Sequence, residues 1–181
     1  FAITVANVND APIILGTVAA QAVNDNATLA PFAAVLVADI DNPAQTLTVT
    51  VTLDTALKGT LSHPGGGSYN PGTGIWSFSG SAAAATNALR ALVFTPTANL
   101  APPGATVTTT FTIAVDDGVA APVIDAVTTV VSASVNDVPT LASPIADQNA
   151  TEDQPFGFQV PGTTLAHVDV GDALSYTATL A

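Results

Sequence analysis

The sequence predicts an all-β fold, a β-sandwich of short strands and frequent turns with one short helix. Three observations predict it. Residues 46–53 alternate strictly, with Thr46, Thr48, Thr50 and Thr52 against Leu47, Val49, Val51 and Leu53, the pattern of a half-buried strand. Further β-branched runs lie between clusters of Gly, Pro, Asn and Asp that punctuate them as turns. One segment alone, residues 81–92, spaces its apolar residues for a helix.

The elements follow in order after the 46–53 strand. Gly65-Gly66-Gly67 and the Pro71-Gly72 to Gly74 stretch punctuate a hairpin, whose second strand, 75–79, sets Ile75, Ser77 and Ser79 against Trp76 and Phe78. The helix over 81–92 places Ala85, Ala88, Leu89 and Leu92 on one face, with Ser79 or Ser81 as its N-cap. A short strand over 93–95 follows it. Residues 106–115 are β-branched and Thr-rich, Asp116-Asp117-Gly118 ends them as a turn, and 123–135 reads as the hairpin partner.

The chain also repeats itself. Val8-Asn9-Asp10-Ala11-Pro12 returns as Val135-Asn136-Asp137-Val138-Pro139, an offset of 127 residues from Asn9 to Asn136, and the 46–53 strand returns at the same offset as 173–180. Residues 1–8 match 128–135 in register. The expected organisation is the last strand of a preceding module over 1–8, a complete module over 9–135, and the first part of a following module over 136–181, a window on a longer tandem array.

Composition narrows the function classes. Lys58 and Arg90 stand alone against 14 acidic residues, a net charge of −12. A nucleic acid or an anionic membrane surface needs a basic face that this chain lacks. No apolar run approaches the ~20 residues of a membrane-spanning helix, so membrane insertion is not expected. Hydrophobic residues make up 48% of the chain, enough for a packed core. Cys is absent, which removes disulfides, thiolate metal sites and thiol nucleophiles.

The motifs VNDAP (8–12) and VNDVP (135–139), Asp39-Ile-Asp41, GTLS…SFSGSAAAATNALRALVFTPTAN (59–99) and FTIAVDDG (111–118) resemble the cadherin-like and Ig-like repeat modules of large bacterial surface and secreted proteins. Residues 140–181 resemble a dystroglycan-type cadherin module. The resemblance implies tandem Ig/cadherin-like sandwiches, an extracellular or cell-surface location, and Ca²⁺ at the module junctions. It also implies that the leading linker and two loops share one end of the module. The ligand set it implies at the first junction is Asn9, Asp10, Asp39, Asp41 and Asp116, and at the second Asn136, Asp137, Asp169 and Asp172. The match is partial: Ala11 and Val138 replace the linker's second Asn, Leu29 and Ala30 stand where the second module has Glu152 and Asp153, and His167 replaces one acid of the second Asp-x-Asp.

Asp and Asn favour turns with or without an ion, so turn chemistry is the competing reading of these residues. Hard Ca²⁺ takes six to eight oxygens, and the near absence of cations leaves the carboxylates short of protein partners. His63 and His167 lack a second His or Cys at zinc spacing and read as solvated loop histidines. Trp76 reads as a packing residue, with carbohydrate stacking as the alternative. No G-x-S-x-G elbow or phosphate loop occurs, and the single Glu gives a glycosidase no Glu pair, so the chain is not expected to be an enzyme. The expected role is a Ca²⁺-stiffened structural spacer of a giant extracellular protein, its partners the neighbouring repeats or copies of itself joined by β-strand pairing. The alternatives are a self-assembling filament subunit and an accessory module of a secreted enzyme.

Overall fold

The computed structural model describes residues 1–4, 6, 8–177 and 179. Val5 and Asn7 of the 1–8 strand expectation, Ala178 and Leu180 of the 173–180 repeat, and Ala181 lie outside the described residues; the described residues of 1–8 and of 173–180 form no strand, contrary to expectation. The strands in chain order are β1 (Ile13–Leu15), β2 (Gln21–Asn24), β3 (Leu36–Ala38), β4 (Leu47–Leu53), β5 (Gly59–Ser62), β6 (Ser68–Asn70) and β7 (Ile75–Gly80). The helix α1 (Ala82–Arg90) comes next, then β8 (Val93–Pro96), β9 (Thr106–Asp116), β10 (Val123–Asp125), β11 (Thr129–Ala133), β12 (Thr140–Leu141) and β13 (Leu165–Ala166).

The fold is all-β around that one helix. A seven-stranded sheet runs β2-β11-β9-β4-β7-β6, with β10 also paired to β9. Its pairings are antiparallel except that of β2 with β11. Two-stranded antiparallel sheets join β1 to β3 and β5 to β8.

The alternation of β4 decides which face of the large sheet is buried. Leu47, Val49, Val51 and Leu53 are at most 3% exposed. Their partners on β9 are themselves apolar: Val49 faces Val115, Val51 faces Ile113 and Leu53 faces Phe111. Such cross-strand pairs on one face are the unit of sheet stability. Trp76, opposite Val51 on β7, is fully buried and donates its indole N–H to Gly66 O at 3.2 Å. It is a core residue. The backbone at Gly67 has φ +85°, and a Cβ there would come within 2.6 Å of the Trp76 indole nitrogen, so a side chain is excluded twice over.

The rest of the same core comes from Phe32, Val35, Val37 of β3, Leu61 of β5, Phe94 of β8 and the inner face of α1. Phe111 meets Phe32 and Phe94 edge-on, with centroids at 5.3 and 5.1 Å. The helix forms where its spacing predicts. Ser81 caps it, accepting from the Ala84 N–H at 3.3 Å, and Ala85, Ala88, Leu89 and Leu92 are all at most 1% exposed. Thr86 Oγ1 both accepts the Val37 N–H and donates to the Val37 C=O, each at 3.0 Å, so α1 is hydrogen-bonded to β3 through a buried hydroxyl.

The expected single partner strand over 123–135 is two strands. β10 lies along residues 113–115 of β9 and β11 along residues 106–110. Asp125 breaks the run, because its Oδ1 captures the Val127 N–H at 2.9 Å and closes a local turn. Beyond it, β12 and β13 pair Thr140 with Ala166, as β1 and β3 pair Ile13 with Ala38. This one pairing recurs at an offset of 127 residues on the first strand and 128 on the second.

Candidate metal centre

Three stretches distant in sequence meet beside the start of β1. Asp39 and Asp41 follow β3 directly. Asp117 follows β9, whose last residue pairs with Thr48 of β4. Asn9 and Asp10 lead into β1. Asp39, Asp41 and Asp117 each present a carboxylate oxygen, and the three oxygens lie within 4.8 Å of one another. Asp41 is 8% and Asp117 7% exposed.

The linker closes over these acids. The Asp10 N–H donates to both oxygens of Asp41 at 3.2 Å. Asn9 Nδ2 donates to Asp117 Oδ2 at 3.0 Å, and Gln45 Nε2 donates to Asn9 Oδ1. Asp117 Oδ1 accepts the Val119 and Ala120 N–H groups, each at 2.8 Å. The Asn9 amide, and after it these backbone donors, hold the Asp117 carboxyl below its ordinary pKa, since all of them favour the charged form. Asp39 Oδ1 accepts the Asp41 N–H at 3.0 Å, whereas Asp39 Oδ2 and Gln45 Oε1 are buried with no partner.

Neither cation of the chain serves this cluster. Lys58 Nζ pairs with Asp54 Oδ2 and donates to Thr108 O at 2.7 Å, and Arg90 Nε donates to Val35 O at 2.8 Å. Three ionised carboxylates this close repel unless a cation joins them. The donors are oxygens only, a set that suits a hard divalent cation. Asn9, Asp39 and Asp41 are brought together as the sequence suggests. Asp10 enters through its backbone, and its carboxylate is not one of the three that converge. The turn acid in the cluster is Asp117, not Asp116. Adjacent residues at a strand end point to opposite faces, and Asp116 Oδ1 turns back to the Gly118 N–H at 2.8 Å.

The second junction repeats the frame with different chemistry. The Asp137 N–H donates to Asp169 Oδ2 at 2.8 Å, and Asn136 Nδ2 donates to Asp137 O at 3.1 Å, as Asn9 does to Asp10 O at 3.3 Å. Asp169 and Asp172 converge with His167. His167 departs from the solvated-loop expectation: its side chain is 8% exposed, and Nε2 lies 3.0 Å from both Asp169 Oδ2 and Asp172 Oδ2. His63 is exposed, in keeping with that expectation. Glu152 and Asp153 are exposed and belong to neither cluster.

One further acid was not singled out by the sequence. Asp25, 6% exposed, accepts the Asn99 N–H at 3.0 Å and the Val135 N–H at 3.1 Å. Its signal is the run Asn24-Asp25-Asn26 at the end of β2, which ordinary turn composition masks. Gln45 carried no signal, because one amide in a Pro-Ala-Gln loop resembles any other.

A scan against protein-family models finds no match, and a search of curated proteins finds none. Among the described residues no helix is long and apolar enough to cross a membrane.

Proposed function

We propose that the chain is a repeat segment of a large secreted or cell-surface protein, a tandem Ig/cadherin-like β-sandwich array that acts as a cation-stiffened spacer in adhesion or an extracellular matrix. Its work is mechanical, and it has no catalytic role. The observation that carries this reading is the recurrent junction: a carboxylate of the following loop grips the linker backbone, Asp41 on the Asp10 N–H and Asp169 on the Asp137 N–H. A linker fixed in this way holds one module at a set angle to the next.

Calcium is the cation this reading assigns to the first cluster. Asp39, Asp41 and Asp117 would hold it, with Gln45 Oε1 as the neutral oxygen left without a partner. The ion would neutralise the acids that the net charge of −12 otherwise leaves in mutual repulsion. Affinity is expected in the range of extracellular modules, about 10⁻⁴–10⁻³ M. Thermal unfolding in calcium and in chelator tests it. At ten times the Kd, binding to the folded state adds about 1.4 kcal/mol, a rise of about 3–6 °C for a unit of this size. The Asp39→Asn/Asp41→Asn variant is expected to lose that rise. A transition that ignores millimolar calcium would reduce these acids to turn residues.

A further inference from the structure

The second junction carries an imidazole where the first carries a carboxylate, and this changes which cation it suits. The correspondence is one of register. Asp39 directly follows Ala38, the partner of Ile13, and His167 directly follows Ala166, the partner of Thr140. Each is followed two residues later by the acid that grips the linker, Asp41 and Asp169. The third donor is Asp172, from the same loop as His167.

Two features show that protein groups alone leave this cluster incomplete. His167 Nε2 has a single hydrogen or a single lone pair, yet two carboxylate oxygens lie 3.0 Å from it. The Asp169 side chain is 0% exposed and its Oδ1 has no hydrogen-bond partner. A buried carboxylate oxygen left unpaired is costly, and neither Lys58 nor Arg90 lies within pairing distance.

We propose that His167, Asp169 and Asp172 bind a borderline divalent cation of the zinc class, so that the two junctions of the chain differ in metal selectivity. Imidazole nitrogen suits Zn²⁺ and its neighbours, whereas Ca²⁺ takes oxygen donors. Ligands of a tetrahedral zinc at ~2.0–2.1 Å stand about 3.3 Å apart, close to the 3.0 Å that separates Nε2 from each carboxylate oxygen. One nitrogen and two oxygens leave a fourth position for water. The inference is independent of calcium at Asp39, Asp41 and Asp117, whose donors contain no nitrogen.

The test is titration of the metal-free 181-residue chain with Zn²⁺, followed by calorimetry and by the NMR signals of the two histidine rings. One equivalent is expected to bind and to move the His167 ring signals, with exposed His63 unmoved. His167→Asn and Asp172→Asn are each expected to weaken Zn²⁺ by about tenfold or more, and Asp147→Asn, an exposed acid outside both clusters, to leave it unchanged. His167→Asp, which restores an all-oxygen set, is expected to weaken Zn²⁺ and strengthen Ca²⁺. The wild-type ring signals report the site even if a variant fails to fold. Saturation without movement of the His167 signals, an unchanged affinity in folded His167→Asn, or no saturable binding would each overturn the proposal.

Discussion

Asp117 shows how much one side chain's setting depends on a neighbour 108 residues away in sequence. Its carboxyl is held below its ordinary pKa first by the Asn9 amide and then by the Val119 and Ala120 N–H groups. A depressed folded-state pKa contributes stability above the unfolded value, near pH 4, and that stability is lost as pH falls through the lower folded value. Asn9→Ala removes the largest cause. The stability gap between wild type and Asn9→Ala should therefore be widest above about pH 5 and close as the pH drops into the range where Asp117 protonates. Urea denaturation across pH 2–7 measures it; a gap independent of pH would detach Asn9 from the charge on Asp117. The choice between Asp116 and Asp117 was not legible in sequence. Both sit in one Asp-Asp-Gly turn, and only the last register position of β9, opposite Thr48, decides which of them faces Asp39.

At the level of elements, sequence and structure agree where local periodicity and burial coincide. The β4 alternation and the α1 spacing each name the residues that end up inside, because one face of each element lies against the core. This makes α1 a sharp test. Leu89 is fully buried beside Leu92 and the inner face of the sheet, so Leu89→Ala should cost about 2–5 kcal/mol through lost burial and a cavity. Ser81→Ala removes only a cap and should cost about 1 kcal/mol. Chemical denaturation of both variants checks the ranking, and equal costs would mean that the helix is not docked as described. Pairings between distant strands were not legible. Nothing periodic announces that β2 runs parallel to β11, or that Asp125 divides the last hairpin strand, since both depend on hydrogen bonds that close only in the assembled sheet. The candidate site was legible to the same degree. The resemblance to cadherin-like modules drew attention to Asn9, Asp39 and Asp41, while Gln45, His167 and Asp25 take their importance from burial, which the sequence does not display.

Across the whole molecule, the stretch Val135–Asp137 is held from both sides. Asp25, at the end of β2, accepts the Val135 N–H, and two residues on, the Asp137 N–H goes to Asp169 of the following segment. The same Asp25 accepts the Asn99 N–H, so one buried carboxylate joins the loop after β8 to the chain's exit from the 9–135 unit. Such an anchor couples the stability of residues 9–135 to the order of the stretch that follows. Asp25→Ala would leave two backbone donors without their charged acceptor, at a cost of about 2–4 kcal/mol once water partly replaces it. Backbone relaxation should then report faster motion at Val135, Asn136 and Asp137, and small-angle scattering a broader spread of end-to-end distances. Asp169→Ala should loosen the linker from the other side while leaving the stability of the 9–135 unit nearly unchanged, because among the described residues its hydrogen-bonded and ionic partners are the linker and His167 of its own loop. If both variants loosen the linker but only Asp25→Ala destabilises the preceding unit, the junction is a clamp with two separate jaws. If neither alters linker motion, these two carboxylates do not hold the linker.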